Sequence, residues 1–465
     1  MRSIVLLVCG AALLSCTGGA AQAGNEADSS KASSAEVTVA FPLLFDQGGA
    51  KVLATYVSHV VASGRHPLAS ITVRNTGGPT AFQVSIDLPG YGSPATSTVS
   101  LAAGQSRTLA LSPVLDFGAL FQLTTAVPAA LTVTVDTGSA TVFRQSYPVE
   151  VSGRDTVFWT SGGESTASLI ATMVTPQDKA GSVAAVLRGA ADRFPGTRLV
   201  GYQATSWPGG SYTLAPGEFR DEPIRLLAGE DAAVAIDAVA VADSGRAASD
   251  LAVFIVDDES FRAWTAGADA AACALQAASS AGTTVVCTAP GAGSYHVVYL
   301  NPGSNLTART VTRHRAMTRY EVTYFQTRAI FEELRARGVA YLNLVGSGFF
   351  ASAQNVKYPS ESLASRSANC IEGALVFASA WGALGMEPVL ALSFAAGHAF
   401  AAVRCWPGAE GCLVPVETTL VGSEVTFEDA VAIAAREWDE WVADGTLLQV
   451  DVAAARAAQL TPAPM

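Results

Sequence analysis

The chain has 465 residues, half of them apolar and only 15% charged, which is more than one domain needs and enough to fill several cores. Its formal charge of −12 excludes the basic footprint that a nucleic-acid partner requires.

At the N-terminus, Arg2 precedes an apolar run from Ile4 to Leu14, too short to span a bilayer as a mature helix. The run ends in Leu13-Leu14-Ser15-Cys16, which resembles a bacterial lipoprotein lipobox. That resemblance implies a signal peptide over 1–15, removed on export, and a lipid on Cys16. Residues 16–36, rich in Gly, Ala and Ser, then read as a flexible tether. The implied location is the cell envelope, lipid-anchored on the periplasmic face of a bacterial outer membrane or on the cell surface. Seven cysteines are present. Cys9 leaves with the signal and Cys16 takes lipid. In an oxidising compartment Cys273 with Cys287, and Cys405 with Cys412, are placed to form two local disulfides. Cys370 is left over, as a reactive thiol, an intermolecular bond or a buried inert residue.

Residues 37–152 read as short alternating strands. "ITVRNTGGPTAFQVSIDLPGYG" alternates on both sides of a Gly-Gly-Pro turn, and "ALTVTVDTGSATVF" has a hairpin pattern around Asp136-Thr137-Gly138. This pattern predicts an immunoglobulin-like β-sandwich. Within 153–207 the period changes: Val183, Val186, Leu187, Ala190 and Phe194 share one face of a helix. Strand signals return over 208–316, which reads as a second small β-sandwich holding the Cys273–Cys287 pair. There, Asp257-Asp258-Glu259 reads as a solvated turn rather than a cation site. From 317 to 465 helical signals dominate again. "YFQTRAIFEELRARG" carries Phe325, Ala329, Phe331 and Leu334 and stops at Gly338. A polar loop then leads to Cys370 and an apolar helix face of Ile371, Ala374, Leu375, Ala378 and Trp381, ending at Gly385. "PVLALSFAAGHAFAAVRCW" and "CLVPVETTLVG" read as strands, and Thr426 with Asp429 as the cap of a helix through Trp441.

The C-terminal segment thus offers a thiol at a helix start, a histidine on a strand and a carboxylate on the next strand: Cys370, His398 and Glu417. A helix N-terminus and a nearby imidazolium both favour thiolate, the nucleophilic form. The histidine protonates the leaving group, and the carboxylate holds its tautomer and stabilises its charge. The backbone N–H of Cys370, with one side-chain donor, would hold the oxyanion.

The segments "YPSESLASRSANC", "GHAF" and "PVETT" resemble the core of bacterial transglutaminase-like proteins, which share a papain-like cysteine fold. "VTPQD", "GYQ" at 201–203 and "QTRAIFEELRARGVAYLN" resemble the family's helices upstream of the cysteine. The sequence differs in Ala368, where the family usually has Gly, and in Glu417, where Asp is commoner. The resemblance implies an α+β multidomain chain: an immunoglobulin-like sandwich, then a transglutaminase-like core over 153–207 and 317–465, split by a β-sandwich inserted at 208–316. Three consecutive sandwiches, with the helix at 183–194 as a linker, are the alternative. The implied catalytic residues are Cys370, His398 and Glu417, with Gln354 first and Asn369 next as oxyanion donors. The implied activity is cleavage or transfer of amide bonds in an envelope peptide or protein, with hydrolysis preferred; an inactive binding or scaffold lipoprotein is the rival class. No cofactor is implied. His59, His66, His296 and His314 lack metal-ligand spacing, so no metal is expected. Trp381, Trp438 and Trp441 read as core, and Phe349-Phe350 as a cleft lining or a loop anchor.

Overall fold

The computed structural model describes residues 35–61, 66–194, 197–203, 210–241, 251–269, 272–278, 283–302, 307–342 and 353–464. The signal peptide, Cys16 and Phe349-Phe350 lie outside the described residues. The first strand, Ala35–Ala40, begins within the stretch read as tether. The chain is a mixed α+β multidomain protein with several small sheets, divided into two compact units. Among the described residues no helix is long and apolar enough to cross a membrane.

The first unit holds a three-stranded sheet (Ala35–Ala40, Ala69–Asn75, Ser106–Leu111) and a six-stranded sheet containing Thr80–Asp87, Val127–Asp136 and Thr141–Val151. Alternation places Ile71 and Val73, Phe82, Val84 and Ile86, and Leu131, Val133 and Val135 in the interior. The hairpin at 136–141 pairs Val135 with Phe143, and Gly138 has φ +80°, a backbone that favours glycine there. The strands flanking the Gly-Gly-Pro turn belong to different sheets, so that turn is a crossover between layers. The unit runs on to Met173, beyond the expected boundary at 152, because Trp159, Ile170, Ala171 and Met173 are buried. It also takes in later chain. Ala353–Asn355 pairs antiparallel with Thr156–Phe158, and Ala463 donates to the Thr172 carbonyl at 2.9 Å.

The second unit contains the block read as an insertion. Two four-stranded sheets share one buried cluster that includes Ile224, Val234, Ile236, Val253, Ile255, Val297, Tyr299 and Val311. Cys273 and Cys287 are disulfide-bonded with Cα atoms 5.6 Å apart. The block starts and ends on neighbouring strands, Gly210–Leu214 and Arg309–Arg315, with Gly210 opposite Arg313. Asp257 and Asp258 do not form a turn. Asp257 caps a helix over Asp258–Thr265 by accepting from the Ser260 N–H at 2.7 Å.

On either side of the block lie α1 (Ser182–Arg193) and α2 (Arg319–Ala336), and they pack together. The buried Glu333 of α2 takes Arg193 at 3.1 Å and Arg337 at 2.7 Å. Gln326 accepts from the N–H groups of Val200 and Gly201 and donates to the Gly201 carbonyl, which docks the "GYQ" segment on α2. The stretch before Cys370, read as loop, contains a short helix α3 (Pro359–Ser365), with Pro359 at its first position. Next is α4 (Cys370–Ala383), buried on all sides from Cys370 to Trp381 rather than on one face. An antiparallel sheet then takes β1 (Pro388–Ser393), β2 (His398–Arg404) and β3 (Leu413–Val416), followed by α5 (Phe427–Ala443) and β4 (Leu448–Asp451). Its order is β3-β2-β1-β4, and α4 packs on β1 and β2. Ala391 and Phe400 meet Ala434 and Trp441 of α5 in one cluster, with Trp438 against it. The Cys405–Cys412 disulfide closes the β2–β3 connection.

Gly373 lets α4 approach the chain after β3: a Cβ there would stand 2.9 Å from Thr418 Oγ1 and 3.1 Å from its Cβ. Gly373→Ala is expected to cost about 1–3 kcal/mol by overpacking, read as a lower urea midpoint with an unchanged slope.

Candidate active site

Cys370 is the first residue of α4, and the local sequence fixes that start. Asn369 caps the helix: its Oδ1 accepts from the Glu372 N–H at 2.9 Å, and Glu372 Oε2 accepts from the Asn369 N–H at 2.9 Å. Such a cap contributes about 1 kcal/mol. Glu372 is buried and also ties down the chain upstream, with Oε1 accepting from the Lys357 N–H at 3.0 Å and the Lys357 ammonium 3.4 Å away. Lys357 reaches on to the Ser367 carbonyl at 2.6 Å. Cys370 is the free cysteine among the described residues and is 7% exposed.

His398 opens β2 and its Nε2 stands 2.8 Å from Glu417 Oε2. Glu417 does not lie within the next strand as expected. It follows β3 and caps the turn Thr418–Leu420, where its Oε1 accepts from the N–H and hydroxyl of Thr419 at 3.0 and 2.5 Å. Both carboxylate oxygens are therefore engaged, and the side chain is fixed against the ring. Trp441 of α5 meets the ring edge to face at a centroid distance of 6.0 Å. Burial disfavours the imidazolium, but interactions with Cys370 and Glu417 outweigh it and push His398 up to about 10. Burial likewise opposes ionisation of Glu417, and the hydrogen bond from His398 overrides it, holding the carboxyl below its usual value. Nε2 is taken by Glu417, which leaves Nδ1 for a second partner.

The structure thus pairs His398 with Glu417, and Cys370, in the same unit, is close enough to act on the ionisation of His398. The other named residues have different surroundings. Asn369 Oδ1 is occupied by its capping bond. Gln354 belongs to the first unit, where its buried side chain accepts from the Trp159 indole at 3.1 Å.

Two neighbours escaped the sequence reading. Tyr341 is placed by parallel pairing of Ala340–Tyr341 with Ser367–Ala368, just before Cys370, and is 42% exposed. Burial and the charges of Cys370 and Glu417 raise its phenol above the usual value. Glu437 of α5 stands with its Oε2 3.8 Å from His398 Nε2. Its signal was present in the helical period, because Ala430, Ala434 and Trp441 on the same stripe are all buried. His398, Glu417 and Glu437 bring one ligand atom each within 4.8 Å of one another, a spacing open to a metal ion. Nε2 and Glu417 are within hydrogen-bond distance of each other at 2.8 Å, with Glu437 as a second acid beside them. A cavity of about 290 Å³ lined by Tyr202, Arg319, Val322 and Trp406 includes none of these residues.

No protein-family model and no curated protein matches the chain. Solved structures similar to parts of it include tripeptidyl peptidase 2, at 9% identity and TM-score 0.17, covering 53% of this chain and 18% of that one. The secreted serine protease VesC from Vibrio cholerae matches at 8% and 0.14, covering 52% and 45%. A conserved protein of unknown function from Pseudomonas aeruginosa PAO1 matches at 8% and 0.13, covering 54% and 78%. Likenesses this slight carry no argument about fold or activity.

The raised value of His398 has a consequence for stability. The contribution of its partners is fully present below 6.5, the ordinary value, and is lost as pH rises through about 10. Guanidinium midpoints of the wild type are expected to fall across that window, and those of His398→Gln to change less.

Proposed function

We propose that the chain is a lipid-anchored thiol enzyme of the cell envelope, with a transglutaminase-like core behind an immunoglobulin-like sandwich. The observation that carries this reading is a free thiol at the first turn of a buried helix, beside an imidazole that is held by a buried carboxylate. In the proposed reaction the Cys370 sulfur attacks an amide carbonyl carbon, and the carbonyl electrons move to oxygen. Backbone N–H groups of the first turn of α4 are suited to hold that oxyanion. The tetrahedral species collapses, the C–N bond breaks, and the amine leaves with the proton from His398, giving a thioester. Water, or a second amine, then adds to the thioester carbonyl as His398 takes its proton, and the sulfur leaves. Hydrolysis of a peptide is preferred over transfer on the sequence resemblance alone. Glu417 keeps the ring oriented through both steps.

The burial of Cys370 favours a second reading, an inactive core retained as a binding or scaffold lipoprotein. A Cys370→Ala chain that still restores the phenotype of a deletion strain would support it.

Iodoacetamide labelling, followed by peptide mass at Cys370, tests the enzyme reading without a known substrate. At pH 6 the wild type is expected to label at least tenfold faster than His398→Gln. Slow labelling in both, rising only in alkali, would sink the proposal.

A further inference from the structure

Glu437 has no role in the chemistry above, yet its position is unusual. Its Oε2 is buried and stands 3.8 Å from His398 Nε2, on the side of the ring already occupied by Glu417, with which its carboxyl also interacts. Two carboxyl groups therefore converge on one ring nitrogen. They differ in access to water: the Glu417 side chain is 3% exposed and that of Glu437 is 26% exposed. Glu437 can thus exchange a proton with solvent, whereas Glu417 is locked by His398 and Thr419.

We propose that Glu437 is a positioning residue for His398, whose change of charge sets how much of the Cys370–His398 pair stands as thiolate and imidazolium. This rests on the thiol-enzyme reading. When Glu437 is neutral, Glu417 alone supports the imidazolium. When Glu437 loses its proton to water, a second negative charge faces Nε2. Acting on the ring from 3.8 Å, that charge stabilises the imidazolium and so favours proton transfer from sulfur to His398. The charged groups facing Glu437 are Glu417 from the end of β3, His398 from β2 and Arg436 from its own helix. Burial, and then the charge of Glu417, push the Glu437 carboxyl up to about 7, opposed by His398 and Arg436. The change of charge therefore falls in the neutral range, where neither His398 nor Glu417 titrates.

The experiment is the iodoacetamide rate at Cys370 from pH 5 to 9 in the full chain, for the wild type, Glu437→Gln, Glu437→Asp and His398→Gln. Thiolate absorbance in the ultraviolet follows the same samples. The wild type is expected to show a three- to tenfold rise centred near pH 7, about the effect of half to one pKa unit of differential interaction. Glu437→Gln, which keeps the shape and lacks the charge, should stay on the low-pH plateau through that range. Glu437→Asp should restore the rise. A purely structural role would shift all rates together and leave the profile unchanged in shape. Profiles of wild type and Glu437→Gln that superimpose, or a rise that survives in Glu437→Gln, overturn the assignment while leaving the enzyme reading intact. A wild type no faster than His398→Gln at any pH overturns both.

Discussion

The buried carboxylate of Glu372 fixes where α4 begins, and most of the site follows from that one placement. It accepts from the backbone of Asn369 and of Lys357, and its charge is met by the Lys357 ammonium. A carboxyl group buried this deeply is stable only when its oxygens are hydrogen-bonded, which ties it to the chain around it. With the cap in place, Cys370 becomes the first residue of the helix, and the N–H groups of Cys370 and Ile371 have no preceding helical carbonyls to bond. Gly373, one turn on, then sets how close Thr418 comes, and with it the neighbouring Glu417. A single salt-linked cap thus governs the separation of groups that lie 47 residues apart (Cys370 and Glu417) in the sequence.

Around the ring, electrostatics and burial oppose one another. Each of His398, Glu417 and Glu437 is partly or fully withdrawn from water, which disfavours charge on all three. His398 and Glu417 escape that cost by pairing. Glu437 arrives third, finds one negative charge already present, and keeps its proton to higher pH. The asymmetry needs no special residue, because the same carboxyl chemistry gives two behaviours when two carboxyls compete for one cation.

Much of this was legible in the sequence where local rules decide. The 136–141 hairpin follows from turn residues, the α5 cap from Thr426 three places before Asp429, and the two disulfides from the short spacings of Cys273 with Cys287 and of Cys405 with Cys412. The order and flanking residues of Cys370, His398 and Glu417 suggest a shared site, and of these the hydrogen bond between His398 and Glu417 is seen directly. Their distances were not legible, since these depend on how α4 lies on β1 and β2. Glu437 was missed because one acid in "AREWDEWVA" looks like any solvated helix charge until the buried stripe through Ala434 and Trp441 is traced. Gln354, the upstream polar side chain read as an oxyanion donor, accepts from the Trp159 indole, a bond between residues 195 positions apart that no local pattern announces.

The paired entry and exit strands of the block between α1 and α2 also bear on how these two helices meet. Contacts between α1 and α2 join residues such as Arg193 and Glu333, which are 140 positions apart. Closing so long a loop is entropically unfavourable and slow. Once the block has folded on its own, Gly210 and Arg313 are neighbours, and the ring that remains to be closed is a few tens of residues. That shortening spares about two doublings of loop length, on the order of 1 kcal/mol of closure entropy. The block that separates α1 from α2 in sequence thereby becomes the clasp that delivers them to one another.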